Sequence, residues 1–233
     1  MNSEVYLGNL SSISNDRLAE VWTDETWKAA EKAYLARQKG MKMQLMFKRN
    51  LDVAIASLAL LLLSPLLLGI ALAVRLSSPG PILFCQERLG KLGKPFTIYK
   101  FRTMVDGAVN IGIGLGTFKG DPRVTKVGKF LREYHLDELP QLFNVLRGDM
   151  SLVGPRPLLV SSLKTYKDVQ KRRLLMSPGV TAWEAVNGGL ENSLEDRLNL
   201  DVWYVDRWNF WLDLVILFRT IPVVLRKEGV YAK

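Results

Sequence analysis

A nearly unbroken apolar run from Val53 to Val74, interrupted at its midpoint by Ser64-Pro65, constrains this chain more than any other feature. As one straight helix its about 22 residues would measure about 33 Å, enough for the ~30 Å hydrocarbon core of a bilayer. Three readings are open: a single span, a buried core helix, or a helix that enters a membrane, breaks and leaves on the same side. Pro65 removes a backbone donor and clashes with the preceding turn, so it bends or ends the helix. Ser64 can bond a freed carbonyl, which makes the break tolerable in lipid. Lys42, Lys48 and Arg49 precede the run, and Arg75, Arg88, Lys91 and Lys94 follow it. Basic flanks favour the cytoplasmic side. Both ends ask for that side, which a single span cannot satisfy and a re-entrant hairpin can.

The remainder is globular in character. Hydrophobic residues make up 48% of the 233 positions, too few for a polytopic membrane protein. The formal net charge of +9 points to an anionic partner: nucleic acid, anionic lipid or a phosphorylated substrate. A single cysteine, Cys85, excludes a disulfide framework and fits a reducing compartment. It reads as a packed small residue rather than a nucleophile. The N-terminus lacks a basic region followed by an apolar one, so a cleaved signal peptide is not expected.

Residues 15–39 read as a polar surface helix outside the main domain. Turn residues around β-branched and aromatic runs predict short strands near Ile82–Gln86 and Phe96–Phe101. "GIGLGTFKGDPR" (112–123) follows no clear strand and opens no clear helix, so a flexible lid fits it better than a nucleotide-binding loop. Residues 124–150 read as helix, break, helix, with Pro140 in the first turn of the second helix and Gly148 ending it. "GPRP" (154–157) is a rigid turn holding Arg156. Residues 201–230 carry Trp203, Trp208 and Trp211 among arginines, a pattern that suits either a core helix or one lying in a headgroup layer.

Of the acidic neighbours, Asp24-Glu25 and Glu195-Asp196 lie in polar surroundings. Asp137-Glu138 is enclosed by Leu136 and Leu139 at the start of a helix, where backbone donors favour negative charge. Two adjacent carboxylates can divide labour, one holding a divalent cation and the other attacking phosphorus. Lys100, Arg102, Arg123, Lys126, Lys129, Arg132, Arg147 and Arg156 surround the pair in sequence, and arginine suits bidentate phosphate contacts. Together with the apolar run they suggest phosphoryl chemistry on a lipid phosphate. The chain has no D-x-D triplet, C-x-x-C, H-E-x-x-H or P-loop, and a Ser-His-Asp triad would have to use His135, the only histidine. No nucleic-acid-reading motif accompanies the positive charge, so no nucleic acid partner is expected.

"YKFRTM" (99–104), the stretch from "DPRVTKVGKFLREYHLDELPQLFNVLRGDM" to "SLVGPRP" (121–157), "SPGVT" (177–181) and "LDVWYVD" (200–206) resemble the bacterial sugar transferases, the small monotopic phosphoglycosyl transferases. The likeness covers roughly residues 46–233. It implies transfer of a sugar-1-phosphate from a UDP-sugar to a polyprenyl phosphate, giving polyprenyl-diphosphate-sugar and UMP, as the first membrane step of surface polysaccharide or glycan assembly. It also implies a re-entrant helix broken at Ser64-Pro65 and a location on the cytoplasmic face of the bacterial inner membrane. By resemblance, Asp137 is the nucleophile that forms a phosphosugar-aspartyl intermediate and Glu138, with Asp137, holds Mg2+. Lys100, Arg102, Arg132 and Arg156 would steady the diphosphate and the incoming lipid phosphate.

The expected fold is α+β and mostly helical, with a few short strands. Its parts are an N-terminal helical extension (1–45), the broken membrane helix (46–77), a catalytic domain (78–200) and a C-terminal amphipathic interfacial segment (201–233). A homo-oligomer through the hydrophobic or C-terminal helices stays open. Two departures from the family pattern stand out. His135 occupies a position that often carries a small hydroxyl residue. In "PGVTAWEAVNGG" the positions often held by Gly, Ala, Gln and Arg carry Ala182, Glu184, Ala185 and Gly189, which bears on sugar or nucleotide preference. That second departure motivates the alternative of a catalytically degenerate, membrane-bound scaffold on the same fold.

Overall fold

The break at Ser64-Pro65 organises the molecule. In the computed structural model, which describes residues 25–111, 117–118 and 120–227, α1 (Glu25–Gly40) leads into α2 (Lys42–Leu62). Helix α3 (Ser64–Ser77) follows across Leu63 with a bend of 65°. Pro65 sits in the first turn of α3, where its missing donor has no intrahelical partner to lose. The Ser64 hydroxyl donates to the Leu61 carbonyl at 2.8 Å. No single helix among the described residues is long and apolar enough to cross a membrane, whereas the bent pair together is. Leu58, Leu61, Leu62, Leu66, Leu68, Leu72 and Leu76 are all exposed along it.

Two of the cations preceding the run have structural partners. Lys48 is buried, donating to Asp213 Oδ2 at 2.6 Å and to the Val153 carbonyl at 2.8 Å. Arg49 donates to the carbonyls of Val145 and Leu146. These charges anchor the pair to the rest of the protein, so counting them as free flanking charge overstates the topological signal.

The hairpin β1 (Leu83–Leu89) and β2 (Pro95–Phe101) follows, antiparallel, with Phe84 opposite Lys100 and Cys85 opposite Tyr99. Both expected strands are present: the first starts one residue later, at Leu83, and runs on to Leu89, and the second starts one residue earlier, at Pro95. Cys85 is exposed, contrary to its reading as a packed residue, because strand alternation turns it to the face opposite buried Gln86 and its partner Ile98. Helix α4 (Lys126–Glu133) is capped by Thr125, whose hydroxyl accepts from the Gly128 amide. A Cβ on Gly128 would overlap the Thr103 carbonyl, so glycine lets α4 lie directly on the chain leaving β2. Ile70 and Val74 of α3 pack here with Phe101 and Leu131.

After α4 comes the 3-10 turn Leu136–Glu138, then α5 (Gln141–Arg147), with Pro140 at its N-cap and Gly148, φ 89°, ending it. Strand β3 (Ser151–Val153) is followed by α6 (Asp168–Lys171), and β3 pairs in parallel with β4 (Gly179–Thr181). The core gathers around Val145, Met150, Val153, Leu175 and Tyr204, all nearly inaccessible to solvent.

Helices α7 (Leu194–Arg207) and α8 (Phe210–Leu225) are the last elements of the described residues, and the expected boundary at 200/201 falls inside α7. Helix α8 has one face in the core and one exposed. Asp213 and Ile216 enter the core, while Trp211, Val215, Phe218, Ile221 and Leu225 form an exposed apolar stripe. Its Phe210 ring lies 6.5 Å from that of Phe47 on α2. Helix α1 does not stand outside the main body: Tyr34 is buried, and Arg37 donates to the carbonyls of Val205, Asp206 and Trp208 at the end of α7. The part of the expected surface helix before residue 25, and residues 112–116 and 119 of the glycine-rich loop, lie outside the described residues.

Candidate active site

Three elements distant in sequence converge on Glu138. The 3-10 turn presents Asp137 and Glu138, β2 presents Lys100 and the turn after β3 presents Arg156. Glu138 Oε1 accepts from Lys100 Nζ at 2.6 Å and from the Arg156 guanidinium at 3.1 Å. His135, with φ 54°, takes the left-handed conformation that swings the chain out of α4 into this turn. Histidine is among the non-glycine residues enriched there.

Buried Asn144 of α5 fixes the turn against the strand. Its side chain donates to the Thr97 carbonyl at 2.7 Å and accepts from the Tyr99 amide at 3.1 Å. The strand carrying Lys100 and the helix following the two carboxylates are therefore locked in register.

The two carboxyls are pushed in opposite directions. Burial raises Asp137, the charge of Glu138 adds to it, and Lys100, Arg132 and His135 only partly offset these, leaving it at about 6. Burial also acts to raise Glu138, but Lys100 and Arg156 outweigh it and hold that carboxyl well below its ordinary range. Opposite shifts in adjacent acids are the signature of divided chemical roles. The Glu138 charge in turn raises Arg156.

The other expected cations are placed differently. Arg132 donates to Thr103 Oγ1 at 2.8 Å and Thr117 Oγ1 at 2.9 Å, and its charge reaches Asp137 without a direct bond. Arg102 is buried, with its guanidinium donating to the carbonyls of Pro79 at 2.6 Å, Ser78 at 2.7 Å and Val74 at 3.3 Å. It closes the C-terminal end of α3 and makes no hydrogen bond to the carboxylate pair. Ser64 and Pro65 lie at the helix break described above.

Arg88 was legible only as a flanking charge. It lies beside Arg156, and burial first, then the Arg156 charge, lowers it to about 10. Among the described residues no group of three or more His, Cys, Asp or Glu could hold a metal ion. Two hard carboxylate donors side by side do fit magnesium bound jointly by protein and substrate phosphates, since that ion commonly takes one or two carboxylates.

The bacterial sugar transferase family model matches residues 43–227, which take in the bent pair, the carboxylates, both cations and α8. The chain belongs to the bacterial sugar transferase family. It is 46% identical over 186 residues to the sugar transferase EpsL of Bacillus subtilis (strain 168), covering 80% of this chain and 91% of that protein. It is 40% identical over 200 residues to the exopolysaccharide production protein ExoY of Rhizobium meliloti (strain 1021), covering 80% of this chain and 88% of that one. Identity is 45% over 184 residues to the UDP-glucose:undecaprenyl-phosphate glucose-1-phosphate transferase of Escherichia coli (strain K12), covering 76% of this chain. This bacterial sugar transferase spans 39% of the length of that last relative. The family carries a phosphoglycosyl-transferase type of reaction in which sugar phosphate passes to undecaprenyl phosphate.

Proposed function

We propose that the protein transfers a sugar-1-phosphate from a UDP-sugar to a polyprenyl phosphate through a covalent intermediate on Asp137, at the cytoplasmic face of the bacterial inner membrane. The observation that carries this reading is the split pair. One carboxyl is raised by burial, and its neighbour is held ionised by Lys100 and Arg156. The names of relatives supply the substrates: one is a UDP-glucose:undecaprenyl-phosphate glucose-1-phosphate transferase, another an undecaprenyl-phosphate galactose phosphotransferase.

In the first half-reaction an ionised Asp137 oxygen attacks the sugar-bearing phosphorus. The bond from that phosphorus to the bridging oxygen breaks, and UMP departs with the electron pair. In the second, an oxygen of the lipid phosphate attacks the same phosphorus and displaces the Asp137 carboxylate, which regains its charge. Burial makes ionised Asp137 more basic than an ordinary aspartate, which strengthens it as a nucleophile. Lys100 and Arg156 orient Glu138 and place positive charge where phosphoryl oxygens gather. Magnesium, held by Glu138 with Asp137, would supply further neutralisation of the diphosphate.

Helices α2 and α3 form the re-entrant element, with their exposed leucines in the acyl region and the stripe of α8 in the interface. The packing of Leu136, which precedes the carboxylate pair, against the cluster of Ile70 and Val74 of α3 supports a site beside the lipid phosphate. The buried Glu184 carboxylate is matched by Arg197 Nε at 3.0 Å, so the altered position has its own partner.

The deciding experiment is UMP release by purified protein with magnesium, polyprenyl phosphate and a panel of UDP-sugars, wild type beside Asp137→Asn. Release with one sugar, lost in the variant, is expected. Release that persists undiminished in Asp137→Asn removes the covalent mechanism.

A further inference from the structure

A buried charge cluster that the reaction described above does not use touches the backbone of Arg156. Arg173 is 2% exposed and Asp201 2%. Arg173 Nε and one terminal nitrogen donate to Asp201 Oδ2, at 3.0 and 2.6 Å. A second arm donates to the Tyr166 hydroxyl at 3.0 Å, and the guanidinium lies 5.7 Å from the centre of that ring. The guanidinium also donates to the backbone carbonyl of Arg156.

That last contact ties the cluster to the site. The turn 154–157 is held on one flank by backbone bonds: the Gly154 amide donates to the Thr181 carbonyl, and the Gly179 amide to the Pro155 carbonyl, both at 3.0 Å. A Cβ on Gly154 would overlap the Ser177 carbonyl, so this flank approaches as closely as the chain allows. On the other flank the Arg173 side chain holds the carbonyl of Arg156 itself, whose own guanidinium reaches Glu138.

A buried ion pair is a poor source of stability, because desolvation offsets its attraction. Here the pair is also imperfectly satisfied, since Asp201 Oδ1 is buried without a hydrogen-bond partner among the described residues. A planar, multi-armed guanidinium fixed by a carboxylate and a phenol is a good way to set the angle of a turn to within a fraction of an ångström.

We infer that Arg173 and Asp201 are positioning residues: they hold the Arg156 backbone so that its guanidinium meets Glu138 and the substrate phosphate. The inference rests on the transferase reading. Neither residue touches the reacting atoms, so their effect on turnover passes through Arg156.

Non-additivity tests this. Donor kcat/KM is measured for Arg173→Lys, which keeps the charge and loses the fork, in the wild-type and Arg156→Lys backgrounds. The expected loss is about tenfold or more in the first and under about twofold in the second. Equal losses in both backgrounds would make the pair a core ion pair only and overturn the inference. Asp201→Asn, nearly isosteric, carries the same cycle should Arg173→Lys fail to fold. Hydrogen exchange of peptides spanning 150–160 is the readout independent of activity. Faster exchange in the variants is expected, and unchanged exchange would overturn the inference even with a non-additive cycle. A wild type that releases UMP from no UDP-sugar would sink the underlying reading, and the exchange data alone would then decide whether the pair holds the turn.

Discussion

Lys100 Nζ lies 2.6 Å from Glu138 Oε1, joining the middle of the site to a strand 38 residues earlier in the chain. The ammonium and Arg156 converge on that one oxygen, and their combined charge keeps Glu138 ionised although it is largely shielded from water. Replacing Lys100 by Met leaves Arg156 alone against the burial of Glu138. The expected result is a loss of UMP-release activity of about 100-fold or more, with about 1–3 kcal/mol less stability. Since the Glu138 carboxyl is depressed in the folded protein, the stability it contributes is present above the ordinary glutamate range and is lost as pH falls toward its lowered value. Thermal melts across acid pH for wild type and variant would read this directly.

Asp137→Asn is expected to abolish turnover and at the same time stabilise the fold. The folded protein holds the Asp137 proton up to about 6, above the ordinary aspartate value, so it binds more protons than the unfolded chain between about 4 and 6. Stability therefore falls as pH rises through that window, and ionised Asp137 is a net cost at neutral pH. Removing the charge should return about 1–2 kcal/mol, or about 3–6 °C in melting temperature. An inactive variant that melts lower than wild type at pH 7.5 would contradict the burial argument.

The pH dependence of donor kcat/KM should show an acid limb near pH 6, set by ionisation of Asp137, with no second limb from Glu138 in the same range. Lys100 favours the charged form of Asp137, so the residual activity of Lys100→Met should have its limb at higher pH. A limb that stays near the ordinary aspartate value would show that another group controls the rate.

Arg102 offers a contrast. Its guanidinium serves the carbonyls of Val74, Ser78 and Pro79. Arg102→Leu should lower stability by about 2–4 kcal/mol, because those carbonyls lose a charged donor, while donor KM changes by less than about twofold in the folded fraction. A large rise in donor KM at unchanged stability would return Arg102 to the phosphate-binding set.

The topology of the bent pair is accessible to labelling. Met43 and Ser77 are exposed and stand outside the two ends of the apolar run. In a Cys85→Ser background, cysteines at these two positions should react with a membrane-impermeant thiol reagent from the same, cytoplasmic side. Reaction from opposite sides would mean that the pair crosses the bilayer.

Much of the site was legible because its chemistry sits in local runs. Asp137 and Glu138 are adjacent, enclosed by leucines and followed by Pro140, and the Ser64-Pro65 break announces itself within one apolar stretch. Local rules of backbone donors, proline geometry and glycine ends are enough to read the break, the turn and the end of α5 at Gly148. What a cation does, by contrast, is not local. Lys100, Arg102, Arg132 and Arg156 are alike as sequence, yet two of them meet Glu138, one binds hydroxyls nearby and one closes a helix end. The exposure of Cys85, the docking of α1 through Arg37 and the buried pair of Arg173 with Asp201 are equally silent, since each depends on which surfaces meet. The sequence by itself determined the carboxylate pair, the broken apolar helix and the family. Tertiary structure alone decided which charges are paired and how strongly the two acids differ, because pKa shifts and ion pairs depend on distance and burial, which strands and helices far apart in the chain create only by packing together.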